Sequence, residues 1–145
     1  MASITIRVEG LRELGERMRN LSAKVATKLA GQATAAAAQV VKKSAKRHIQ
    51  TSPSIETGAL LNAVIVKKLG KSQTKLTAEH IVTVRGRGRR GKKLKGNQTS
   101  APHAHFVEFG TVHMPAEPFL RPAFDAGKEE ALQAMVAKLK ARLEQ

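Results

Sequence analysis

Ala63-Val64-Ile65-Val66-Lys67-Lys68-Leu69, then Gly70-Lys71-Ser72, then the stretch Thr77 to Arg85 with Ile81, Val82 and Val84, together decide the fold. β-Branched residues fill both flanks and a glycine-led turn separates them, so the segment reads as an antiparallel hairpin. Two strands alone cannot bury an apolar face in water. The chain on either side must supply the covering layer, and both sides have helical spacing.

Immediately upstream, Thr57-Gly58 followed by Ala59-Leu60-Leu61 reads as a helix start capped by Thr57, with room for about one turn before the hairpin. Pro53 ends the run before it, which makes Thr51 to Thr57 a loop. Further back, Leu11, Leu14, Met18, Leu21, Val25 and Leu29 recur three or four apart. The pattern continues through Ala33 to Ala38 and on to Val40, Val41, Ala45 and Ile49. This is one long helix or two abutting ones. The alanines reflect either close approach of another helix or helix propensity alone. At the N-terminus, Ser3-Ile4-Thr5-Ile6-Arg7-Val8 places Ile4, Ile6 and Val8 on one face, the period of a half-buried strand, and Gly10 breaks it.

Downstream of the hairpin the composition changes abruptly. Seven of the twelve residues from Arg85 to Gly96 are basic, four are glycine and none is acidic. No core can form from that, so residues 85–101 are expected to be a long mobile loop or an extended hairpin tip projecting from the body. Apolar character returns at Phe106, Val107 and Phe109 in a strand-like pattern, which turns at Gly110. Pro115, Pro118 and Pro122 hold the next stretch extended, and Ala123 opens a final helix with Leu132, Met135, Val136, Leu139 and Leu143 on one stripe. Glu129 and Glu130 are placed near its start and Lys138, Lys140 and Arg142 near its end, as the helix dipole favours. The fold class is α+β: a small antiparallel sheet packed against a long N-terminal helix and a C-terminal helix, with a long basic loop, in one domain over residues 1–145.

A chain of 145 residues has room for one modest core. Its 26 Lys and Arg against 11 Asp and Glu leave a formal charge of +15, which points to an acidic partner. The absence of cysteine excludes disulfides, thiol catalysis and thiolate metal sites. Without Trp or Tyr, and with four Phe, the stacking platforms of single-strand readers are nearly missing. No stretch approaches the roughly 20 apolar residues of a membrane span, and the alternating N-terminus is unlike a signal peptide, so a soluble protein is expected.

Catalytic constellations are weak. His103, His105, Glu108 and His113 could share a strand face and suit zinc, but their spacing matches no strong motif and no metal is assigned. Asp125, the only aspartate, lies near the expected start of the last helix, where offsetting exposed amides is a better role than completing a serine triad. Gly86-Arg87-Gly88 is followed by no Lys-Ser or Lys-Thr, so no nucleotide loop is assigned. Arg85, Arg87, Arg89, Arg90, Lys92, Lys93 and Lys95 form either a solvated charge run or a phosphate-contacting arm. Lys42, Lys43, Lys46 and Arg47 close the long helix, where they either offset the C-terminal dipole or meet phosphate.

Three pieces in this order carry a resemblance: Val8-Glu9-Gly10-Leu11 leading into a leucine-spaced helix; Pro53 with Thr57-Gly58-Ala59-Leu60; and His105-Phe106-Val107-Glu108-Phe109-Gly110-Thr111 followed by the segment Pro115 to Asp125. The chain resembles the tail-component family of long-tailed, lambdoid-type bacteriophages, described as tail-completion or neck proteins. It departs from that family's pattern at His105 and Phe106, where a Tyr-Ala-like pair is expected. Read from the residues alone, Glu108 on an extended backbone would point away from the apolar face, to accept from backbone amides or pair with an arginine. Gly110 permits a turn that a side chain would hinder, with Thr111 bonding locally beside it. Phe119 and Leu120, bracketed by Pro118 and Pro122, form a rigid anchor, buried under the last helix in preference to a neighbouring subunit.

The resemblance implies a structural virion component with no catalytic step and no cofactor, made in the host cytoplasm and sited at the head-tail junction or tail. It implies a homo-oligomeric ring, sixfold by analogy with tail rings, that contacts neighbouring neck and tail proteins and no membrane. The basic loop would then face the genome in the lumen or an acidic neighbouring ring. The alternative function is that of a small basic nucleic-acid-binding protein of ribosomal or nucleoid type, distinguished by tight binding of the isolated subunit.

Overall fold

The hairpin forms where its β-branched residues place it. Strands β1 (Val64–Lys68) and β2 (His80–Val84) pair antiparallel, with Val64 opposite Val84 and Val66 opposite Val82. That register puts the valines on one face: Val64 is buried, and Val82 and Val84 pack against the core. Ile65, Thr83, Lys67 and Ile81 occupy the alternate positions. This computed structural model describes residues 10–52, 58–69, 78–86 and 99–144. The N-terminal stretch from Ser3 to Val8, the cap position Thr57, the Gly70-Lys71-Ser72 turn, and Arg87, Arg89, Arg90, Lys92, Lys93 and Lys95 lie outside the described residues.

The layer that covers the sheet is helical. Helix α1 (Leu11–Arg19) and helix α2 (Ala23–Thr51) are separate, so the long apolar stripe is two abutting helices. Ser22 breaks the run as the N-cap of α2 with an extended backbone, φ −60° and ψ 144°, a conformation serine adopts readily. Helix α3 (Gly58–Ala63) is the expected short turn, burying Leu60 and Ala63 directly before β1. Helix α4 (Ala104–Phe109) and helix α5 (Leu120–Leu143) complete the order.

Helices α2 and α5 form the largest contact in the fold, and both strands lie on α2. The two helices run antiparallel. One cluster joins Ala45 and Ile49 of α2 to Phe119 and Ala123 at the start of α5, with Leu60 and Val64. The other joins Ala33 to Val136 and Leu139 near the α5 C-terminus and adds Leu14 of α1. Small residues make the close approach possible: Ala33, Ala38 and Ala45 on α2 and Ala123, Gly127 and Ala131 on α5 are all buried. A methyl group at position 127 would stand 3.5 Å from Ser44 Cβ, an ordinary van der Waals contact between the two helices.

Four sequence expectations are corrected. The segment around Phe106 is a helix, because Ala104 and Val107 pack against the core from one side of a turn while Phe106 and Phe109 remain exposed. Helix α5 begins at Leu120 instead of Ala123, which puts Pro122 in its first turn, where its missing amide removes no hydrogen bond. Glu129 and Glu130 consequently fall mid-helix and offset no dipole, although Lys140 and Arg142 do lie in the last turn. The Lys42, Lys43, Lys46 and Arg47 cluster also stops short of the α2 C-terminus at Thr51, since only His48 among basic residues is in the last turn. Dipole compensation falls off within one turn and does not account for that cluster.

Candidate functional site

Glu108 organises the segment that carries the most specific part of the sequence. Its Oε2 accepts the backbone amides of Phe119 at 2.8 Å and Leu120 at 3.0 Å, and its Oε1 accepts that of Arg121 at 3.2 Å. With Phe119 as the N-cap of α5, these are three of the four amides that a helix leaves unpaired. The fourth position is Pro122, which has no N–H. Glu108 and Pro122 therefore account for the whole helix start, the role that the sequence offered to Asp125. Asp125 is exposed and lies in the second turn.

The chain between α4 and α5 is tied at several points. Gly110 closes α4 by donating to the Phe106 carbonyl at 2.8 Å, with φ 73° and ψ 177°. A side chain there would press within 2.8 Å of the Ala116 nitrogen and 3.0 Å of the Met114 oxygen, so glycine is required twice over. Thr111 and Met114 exchange backbone bonds across a tight turn, and the His113 amide donates to Thr111 Oγ1 at 3.3 Å. The Glu117 amide donates to the Val107 carbonyl at 2.8 Å, and the Ser52 hydroxyl donates to Glu117 Oε2, fastening the turn to the end of α2.

This framework separates the apolar residues into two groups. Phe119 is 1% exposed, inside its own subunit, with Leu120 packed beside it and Pro118 exposed. Phe109 is 73% exposed and Val112 97%, with Phe106 and Met114 also at the surface. Several large apolar side chains are thus displayed together on a hydrogen-bonded ledge, a kind of surface that suits association. His103 and His105 both lie against the Phe106 ring, with centroid distances of 5.7 Å and 4.0 Å. Among the described residues, no three His, Cys, Asp or Glu side chains come together as a metal site.

Of the basic segment, Arg85 is described. Its amide donates to the Ala63 carbonyl and its own carbonyl accepts the Ala101 amide, both at 2.8 Å. Arg85 and Ala101, which bracket the basic segment, are thus bonded to each other. Beside this point lies an open groove of about 890 Å³ between α2, β2, α4 and α5, lined mainly by apolar side chains such as Val41, Val82, Phe124 and Met135. The sequence offered Glu108 as an acceptor for backbone amides, as found, but not which amides, and the groove is not legible from residue spacing.

Among the described residues, no helix is long and apolar enough to cross a membrane. The model of one family, HK97-gp10-like, described as "Bacteriophage HK97-gp10, putative tail-component", matches residues 12–110. No curated protein and no solved structure matches the chain.

Proposed function

The chain belongs to the HK97-gp10-like family of bacteriophage tail components, and from that premise we propose that it is a tail-completion or head-tail joining subunit, assembled as a ring around the DNA passage. The observation that carries this proposal is the ledge from Phe109 to Met114, which holds Phe109 and Val112 in solvent on a backbone pinned by Glu108, Gly110 and Glu117. A closed ring of identical subunits uses heterologous contacts, in which a protruding patch on one copy meets a different surface on the next. A preordered apolar ledge suits that task because little entropy is lost on docking.

The basic segment supports the position within the particle. The residues that bracket it are joined by the Arg85–Ala101 backbone bond, and the segment itself carries cations without a single acid. We assign Arg87, Arg89, Arg90, Lys92, Lys93 and Lys95 to the lumen, where they would meet phosphates without reading sequence. An acidic neighbouring ring is the other surface they would fit. The decisive experiment is negative-stain microscopy of lysates in which the gene is inactivated. Filled heads separated from tails, or aberrant tails, are expected; normal infectious particles would overturn the assignment.

A further inference from the structure

We propose that the outer face of α2, carrying Lys42, Lys43, Lys46 and Arg47, docks on the outer face of α5 of a second copy of this chain, carrying Asp125 and Glu129. These cations are the cluster that the helix dipole does not account for. No acid occurs anywhere in α2, so nothing on that helix offsets them. Lys43 and Arg47 are exposed, with Lys42 and Lys46 half-buried beside them. At 3.6 residues per turn, Lys43 and Arg47 lie about 160° around α2 from the centre of its buried stripe, Val41, Ala45 and Ile49.

Helix α5 carries the opposite charge on its own outer side. Asp125 and Glu129 are exposed and stand about 160° around the helix from Gly127, which meets Ser44 of α2. One subunit thus turns cations away from the core on one helix and acids away from the helix contact on the other. Charges that face apart within a subunit are placed to meet between subunits.

The height of the charges singles out a second copy as the partner. Ser44 and Gly127 are in contact and mark one level of the antiparallel pair. Counted outward from that level, Lys42 is level with Glu129 and Lys46 with Asp125, while Lys43 and Arg47 are offset by one residue, about 1.5 Å. A rotation about an axis along the helices keeps every residue at its own height, so it carries the acids of one copy onto the cations of the next without a rise. A heterologous contact without rise closes into a ring, whereas one with a rise builds a filament. Like charges stay clear of the contact. Arg121, one turn before Asp125, comes level with uncharged Gln50, and Lys128 is half-buried to the side of the two acids.

Exposed ion pairs set register and partner choice more than affinity, so apolar contact must accompany them. Phe124, next to Asp125, is 56% exposed and lines the same groove as Phe109 of the ledge. The acidic face is thereby continuous with the ledge. The pairing rests on the ring proposed above and supplies the surface of the next copy that the ledge side meets.

Two full-length variants test it in sedimentation velocity: Lys43→Glu with Arg47→Glu, and Asp125→Lys with Glu129→Lys. Each carries like charges on both faces and should lose self-association, whereas an equimolar mixture of the two should associate. Both variants keep a large positive net charge, so bulk attraction cannot mimic that result. A mixture that sediments as its separate components overturns the proposal. Loss of association in the first variant alone, with the second behaving as the unmodified chain, overturns it as well by assigning the α2 cations to DNA or another protein. If either variant does not fold, carbodiimide coupling of the unmodified chain decides. Amide links from Lys42, Lys43 or Lys46 to Asp125 or Glu129 in a covalent dimer support the pairing; dimers without them, or no dimers, overturn it. None of these readouts needs the phage, so failure of the ring reading shows separately, as normal particles after gene inactivation.

Discussion

The carboxylate of Glu108 accepts the backbone amide of Phe119 at 2.8 Å, while the Phe119 ring is buried in the cluster with Ala45, Ile49 and Val64. One residue thus closes the N-terminus of α5 and joins that helix to the core. The same bond fixes α4, so the exposed ledge beyond it is positioned by the most buried aromatic ring in the chain.

Removing that acceptor should loosen the ledge. Glu108→Ala leaves three amides at the start of α5 without a protein partner, at a cost of about 1–3 kcal/mol. Glu108→Gln retains one carbonyl acceptor and should lose less. Chemical denaturation of the two variants checks the order; equal stability of Glu108→Ala and the unmodified chain would show that the cap does not hold the fold.

The α2–α5 crossing has room for one methyl group. Gly127→Ala places it 3.5 Å from Ser44 Cβ, an ordinary contact, and gains helix propensity, so stability should rise by up to about 1 kcal/mol. Gly127→Leu would force the helices apart and cost about 1–3 kcal/mol. Unfolding midpoints should move in opposite directions for the two substitutions.

The ledge should matter for assembly more than for folding. Phe109→Ser with Val112→Ser changes two exposed side chains, and surface changes of this kind shift stability by about 0.5 kcal/mol or less. The double variant should therefore unfold like the parent yet fail to complement a phage lacking the gene. Full complementation would remove the ledge from the assembly interface.

Neutralising the basic segment should separate charge from fold. With Arg87, Arg89, Arg90, Lys92, Lys93 and Lys95 replaced by Gln, the chain should fold normally while genome retention or passage is impaired. If all six residues contact phosphate, the slope of log affinity against log salt for duplex DNA should fall by about 5. The unmodified isolated subunit should bind weakly at physiological salt and gain avidity only when arrayed. Tight binding by the isolated subunit would instead favour the nucleoid or ribosomal alternative.

Local patterns were legible in proportion to their length. The valine-rich flanks, the short helix at Leu60 and the stripe from Met135 to Leu143 each repeat a period over several residues, and each stands where that period places it. The six residues of α4 are too few to distinguish a helical turn from alternation, since Glu108 between Val107 and Phe109 fits both. The start of α5 was placed three residues late because Pro122 looks like a helix breaker from either side, and only a carboxylate fourteen residues earlier shows why the turn before it is helical.

The sequence by itself determined the α+β class, the hairpin with its facing valines, the excess of cations and the family, because these follow from periodicity, composition and motif order along the chain. Tertiary structure alone decided which amides Glu108 caps, and that Phe109 stands in water while Phe119 takes the buried place the sequence expected for it. Those outcomes depend on amides and side chains that meet across distant parts of the chain, and no residue's own chemistry specifies its partner at that separation.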